Sequence, residues 1–140
     1  MRWQLIDRFL FLKKGGPARA VKSFTGTEDI FTDHFPGKAL VPEPFFIEMI
    51  AQTGGVLYGL GLDFQKELIL AKVEEARFFT QVPPPCEFTV EAHIEEVHEQ
   101  GGWISGSVCL RDRTVASCRL LLVLMDALSD DGKKIALVRG

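Results

Sequence analysis

From Pro44 to Leu62 the chain reads PFFIEMIAQTGGVLYGLGL, an almost wholly apolar run whose only charged side chain is Glu48. Pro44 suits the first helical position, where its missing N–H would have no partner and its fixed φ is already helical, so a helix is expected to start there. Phe46, Ile50 and Leu57 fall on one stripe and Ile47, Ala51 and Tyr58 on another. That pattern predicts a helix with no face left to solvent. Lipid is a poor host for it, because the run is barely long enough to span a bilayer and carries Glu48, Gln52 and glycines at 54, 55, 59 and 61. The expectation is a helix wrapped by the chain's own sheet.

Glu48 on such a helix has no basic residue three or four positions away, where Pro44, Phe45, Ala51 and Gln52 stand. An ionised carboxylate buried without a partner is costly, so the group is expected to protonate, to find a partner through the fold, or to line a cavity. The first of these is the state a general acid needs. A structural carboxylate at a helix end or subunit contact is the competing reading. Upstream, His34 lies in a loop punctuated by Pro36, Gly37 and Pro42, whose turns steer it back toward the helix start, within one chain or across a dimer. A histidine beside a phenylalanine is by itself an ordinary structural residue; its pairing with Glu48 is what suggests a site.

These residues resemble a known family. His34-Phe35-Pro36-Gly37, then Val41-Pro42, then Glu48-Met49 with Gln52 one helical turn on, and the fourteen positions from His34 to Glu48, are similar to the FabA/FabZ-type 3-hydroxyacyl-acyl-carrier-protein dehydratases. Leu5-Ile6-Asp7-Arg8 resembles the family's early strand, and Ala76-Arg77-Phe78 with Val82-Pro83 its central strand. Two departures stand out. Glu43 occupies the place where the family usually has glycine, and the proline-histidine-arginine lead-in of the FabZ branch is missing.

The resemblance implies an α+β hot-dog fold, with a long central helix wrapped by a curved, mostly antiparallel sheet of about six strands. It also implies a homodimer whose sheets join edge to edge, able to assemble further as a trimer of dimers. In the implied chemistry His34 removes the α-proton of a 3-hydroxyacyl thioester and Glu48, from the partner subunit, protonates the leaving hydroxyl. The N–H of Glu43 stabilises charge on the thioester oxygen, and Phe35, Pro42, Phe45 and Gln52 line the acyl tunnel. The implied partner is acyl carrier protein bearing a phosphopantetheine-linked acyl chain, with Lys72 and Arg77 as its contacts or else ordinary solvated strand residues. No cofactor and no metal are implied. Two rival readings are a hot-dog thioesterase, which would release free thiol, and a noncatalytic acyl-chain or carrier-binding subunit, for which Glu43 would mark a degenerate site.

The remaining chain is consistent with one domain over 1–140, with a tail over 126–140 free to move or to dock on a sheet edge. A net charge of −3, with 46% hydrophobic and 25% charged residues, describes an ordinary globular protein and excludes a nucleic-acid binder. Cys86, Cys109 and Cys118 are odd in number and lack CxxC spacing, so free thiols and a cytoplasmic setting are expected. Asp7 and Arg8 follow the N-terminus too closely for a signal peptide.

Strands are expected over 3–13, 18–25 and 67–82, the last with an irregularity at Glu74-Glu75, and over about 87–95. A helical turn capped by Thr27 is expected before the His34 loop. A turn at Gln100-Gly101-Gly102 then leads into a final hairpin of Trp103–Leu110 and Thr114–Met125. The unbroken apolar run Leu120–Leu124 predicts a strand covered on both sides. His93 and His98 have a spacing that fits no strand-borne ligand set, which argues against a metal site.

Overall fold

The computed structural model of the chain describes residues 4–125, so the tail expected over 126–140 lies outside the described residues. Among these, the elements follow in the order β1 (Arg8–Leu12), β2 (Ala18–Phe24), α1 (Ile30–Asp33), α2 (Glu43–Gly61), β3 (Leu68–Phe78), β4 (Cys86–His98), β5 (Gly101–Leu110) and β6 (Arg113–Leu124). The strands form one antiparallel sheet in the order β1-β2-β4-β5-β6-β3. Between β2 and β3 the chain crosses from one side of the sheet to its far edge, and α2 is the element that makes the crossing. A sheet curled round one long helix is the hot-dog architecture that the sequence resemblance implies.

Packing, more than capping, holds α2. Pro42 occupies the N-cap without a side-chain cap bond. Phe46, Met49, Ile50 and Leu57 are fully buried against the inward faces of β4, β5 and β6, supplied by residues such as Phe88, Val90, Ile104, Val108 and Leu120. Burying each such side chain contributes about 1.5–3 kcal/mol, against about 1 kcal/mol for a cap. The helix sits unusually close to β5 because that strand offers hydrogen where it passes under large side chains. A Cβ on Gly106 would stand 2.5 Å from Ile50 Cγ2, and one on Gly102 would stand 2.5 Å from Tyr58 Cε2.

Several boundaries differ from expectation. Gly101 and Gly102 belong to β5, not to a turn, and the connection is the two residues Glu99 and Gln100. These glycines serve close approach to Tyr58 and the β6 backbone, not a turn conformation. The expected strand over 3–13 shortens to β1, although Leu5 and Ile6 of its lead-in are buried in the core. The helical turn begins at Ile30, not at Thr27, whose hydroxyl instead pairs with that of Thr25. β3 stops at Phe78, and the register slips between Glu74 and Arg77, where Glu75 adopts φ 53°, as the Glu74-Glu75 irregularity predicts. β6 lies between β5 and β3, and Leu120, Leu121, Leu122 and Val123 are all buried on its two faces.

The largest correction concerns α2 itself. Pro44 and Glu48 are exposed and Ala51, Gln52, Gly55 and Val56 only half-buried, so within one chain the helix keeps an open face. Composition could not reveal this, because the open stripe is built mostly of small apolar residues. Among the described residues, no helix is long and apolar enough to cross a membrane.

Candidate active site

His34 caps the short helix α1 and is tied into the following loop by its backbone, whose carbonyl accepts the Leu40 N–H at 3.0 Å. Its imidazole is half-buried, stacks on the Phe35 ring with centroids 4.0 Å apart, and places Nδ1 3.2 Å from the Leu40 carbonyl. A carbonyl oxygen can only accept, so Nδ1 carries the proton and donates it. The neutral ring therefore presents Nε2 as a free lone pair, the form a general base requires. Two residues beyond Leu40, Pro42 opens α2, and the Val41 N–H donates to Val82 O at 2.9 Å, which fixes this loop against the β3–β4 connection.

At the start of α2 the supply of free donors is small. Pro44 has no N–H, and the Phe45 N–H turns back onto Pro42 O at 3.0 Å. The Glu43 N–H meets no acceptor among the described residues and points its dipole outward from the helix N-terminus. This end of the helix is therefore an electropositive spot with one unspent hydrogen bond, three residues from Leu40.

Glu48 stands on the open face, and its burial is corrected here: the carboxylate is exposed in the single chain. It is not solitary, because Gln52 Nε2 donates to Glu48 Oε1 at 3.1 Å, and Gln52 Oε1 accepts the Leu5 N–H at 2.8 Å. Among the described residues no hydrogen bond or ion pair joins His34 to Glu48. One chain thus holds two half-sites. One is the His34 loop with the Glu43 N–H, and the other is Glu48 with Gln52.

From Gln52 a groove of about 560 Å³ runs along the open helix face past Ala51, Gly55 and Gly59 to Phe64 and Leu68. Of the other expected site residues, Phe35 is exposed, Pro42 is buried as the N-cap, and Phe45 is half-buried and stacked on Phe24 at 6.3 Å. Lys72 is engaged with Glu74 at 3.0 Å, and Arg77 lies exposed on the sheet edge. Burial pushes the Cys118 thiol up to about 11, and burial together with the Glu28 charge does the same to Cys86. Neither is a thiolate near neutral pH, so neither competes with His34 as a reactive group. Leu40 and Leu5, which orient the imidazole and the Gln52 amide, carry no sequence signal because they act through backbone atoms.

The chain resembles known proteins over most of its length. Residues 1–119 match the family model of the FabA-like domain. A 3-hydroxyacyl-[acyl-carrier-protein] dehydratase FabZ of Coxiella burnetii is 32% identical over 124 residues, covering 85% of this chain and 87% of that protein. The FabZ of Staphylococcus carnosus is 30% identical over 123 residues, covering 87% and 85%. Among solved structures, the dehydratase heterocomplex ApeI:P of Xenorhabdus doucetiae superposes with a TM-score of 0.72 at 12% identity, covering 98% of this chain and 90% of that one. An uncharacterized protein of Pyrococcus horikoshii gives 0.68 at 17% identity, covering 86% and 84%. These two structural likenesses bear on the fold alone.

Proposed function

Because the chain belongs to the FabA-like domain family, we propose that it is a hydro-lyase converting a 3-hydroxyacyl thioester, borne on acyl carrier protein, to the trans-2-enoyl thioester in acyl-chain biosynthesis. The observation that carries this reading is the imidazole whose Nδ1 is committed to the Leu40 carbonyl, which leaves Nε2 to take a proton, in the loop that leads three residues later to the unspent Glu43 N–H of the helix start. Nε2 takes the α-proton, and electron density moves onto the thioester oxygen, where the Glu43 N–H and the helix dipole stabilise it. As the α,β double bond forms, the C3–O bond breaks and the Glu48 carboxyl delivers its proton to the departing hydroxyl, which leaves as water. The imidazolium and carboxylate that remain are restored by returning the first proton to the second through solvent. No step calls for a metal or a redox cofactor.

The acid and base of one reaction centre come from two chains in a homodimer. β3 favours this assembly, since among the described residues it is an eleven-residue edge strand whose outer rim pairs with no other strand and which leaves Leu70, Val73 and Phe78 37%, 39% and 38% exposed. Such an edge invites a further strand. Phe35, Pro42 and Phe45 then flank the acyl entrance, and Gln52 opens onto the groove along α2. Lys72 already shares its charge with Glu74, which leaves Arg77 the freer cation for an acidic carrier.

The test is to mix the protein with a 3-hydroxyacyl thioester and follow enoyl absorbance alongside free thiol. Enoyl product without thiol release is expected, and His34→Ala and Glu48→Gln should each lower the rate by about 10²–10⁴. Thiol release without enoyl product would instead identify a thioesterase. Variants as fast as the parent would remove both residues from the mechanism.

A further inference from the structure

We propose that Gln52 is a positioning residue and that the Leu5 N–H, acting through the Gln52 amide, decides which carboxyl oxygen of Glu48 carries the proton during turnover. The inference rests on the reading of Glu48 as the general acid. Leu5 N–H can only donate, so the amide end facing it at 2.8 Å must be the carbonyl oxygen of Gln52. The other end is then an NH2 group, which faces Glu48 Oε1 at 3.1 Å and can only donate in turn. A protonated carboxyl accepts through its carbonyl oxygen and donates through its hydroxyl. Oε1 is thereby held as the accepting oxygen, and the proton is assigned to Oε2, on the side turned away from Gln52. Reversing the amide would set its oxygen against a Glu48 lone pair and its NH2 against the Leu5 N–H, opposing like ends at both contacts.

The anchor of this relay is firm. Leu5 is 2% exposed and packs in the main core, and two residues on the Asp7 N–H donates to Val21 O at 2.8 Å. The Asp7 carboxylate accepts the Ser23 N–H at 2.7 Å and the Lys22 ammonium at 3.1 Å. The four-residue spacing of Glu48 and Gln52 stacks the two side chains on one face of α2. A donor 47 residues away in sequence, in the segment leading to β1, thus orients the acid on the central helix.

Gln52→Met keeps the side-chain length and removes the donor. With a 3-hydroxyacyl thioester, kcat should fall on the order of 10- to 100-fold with KM little changed, because the acid's orientation is lost while binding is kept. Gln52→Glu still accepts from Leu5 but faces Glu48 with an oxygen in place of the amide donor, and should lower kcat by a similar factor with KM little changed. Leu5→Pro removes the N–H while keeping an apolar side chain, and its effect should not add to that of Gln52→Met in the double variant. A thermal melt of each variant checks that it is folded, and Gln52→Glu retains the Leu5 contact should Gln52→Met not fold. A kcat kept close to the parent's in folded Gln52 variants, or a loss confined to KM, would overturn the proposal while His34→Ala and Glu48→Gln remain inactive. If those two variants turn over as fast as the parent, the failure lies with the assignment of Glu48 itself.

Discussion

At the scale of single residues, the proposed chemistry depends on backbone atoms as much as on side chains. Glu43 stands where glycine is usual in the family, yet the atom that matters is its N–H, which every residue but proline supplies. Glu43→Pro removes that atom together with the carboxylate, which Glu43→Gly removes as well, and suits the conformation, since the N-cap Pro42 is already extended with ψ 130° and the new proline would sit at the first helical position. The expected result is a loss of about 10²–10³ in kcat with the melting temperature kept, whereas Glu43→Gly should stay close to the parent. Equal rates for the two variants would place charge stabilisation elsewhere. His34 and Glu48 were legible in the sequence as an imidazole and a carboxyl at a suggestive separation, the pair proposed here as base and acid. The Leu40 carbonyl and the Leu5 N–H that orient their site were not, because a backbone donor or acceptor looks the same at every position and only the fold brings it to its partner.

At the scale of elements, α2 shows how far hydrophobic patterning reaches. The pattern of Phe46, Ile50, Leu57 and Tyr58 identified a helix seated in a sheet, and those residues are indeed buried. It could not distinguish apolar positions covered by the chain itself from those left open, so the stripe running from Pro44 through Glu48 to Gly55 was read as buried when it is not. The glycines of β5 were misread for a related reason: Gly101-Gly102 has turn chemistry, and only the closeness of the β6 backbone to Gly101 and of Tyr58 and the Glu96 carbonyl to Gly102 explains hydrogen there. Gly106 makes the same point on the same strand. Gly106→Ala would press a methyl group into Ile50 and the Glu91 carbonyl, 2.5 and 2.8 Å from the new carbon. The variant should be destabilised by about 1–3 kcal/mol and melt at lower temperature. A melting curve no lower than the parent's would mean that α2 is not held against β5 as closely as described.

At the scale of the whole molecule, each chain presents His34 and the Glu43 N–H at one place and Glu48 with Gln52 at another, with no hydrogen bond or ion pair joining His34 to Glu48 among the described residues, and an edge strand with exposed apolar side chains. In the proposed dimer a working centre takes His34 from one copy and Glu48 from the other. The most direct test mixes two inactive proteins, His34→Ala and Glu48→Gln, under conditions that let dimers reassort, and follows enoyl formation from a 3-hydroxyacyl thioester. Half of randomly reassorted dimers are mixed and each holds one intact centre of two, so the mixture should regain about a quarter of the parent rate. A mixture that reassorts fully and remains as inactive as its two components would contradict the shared centre.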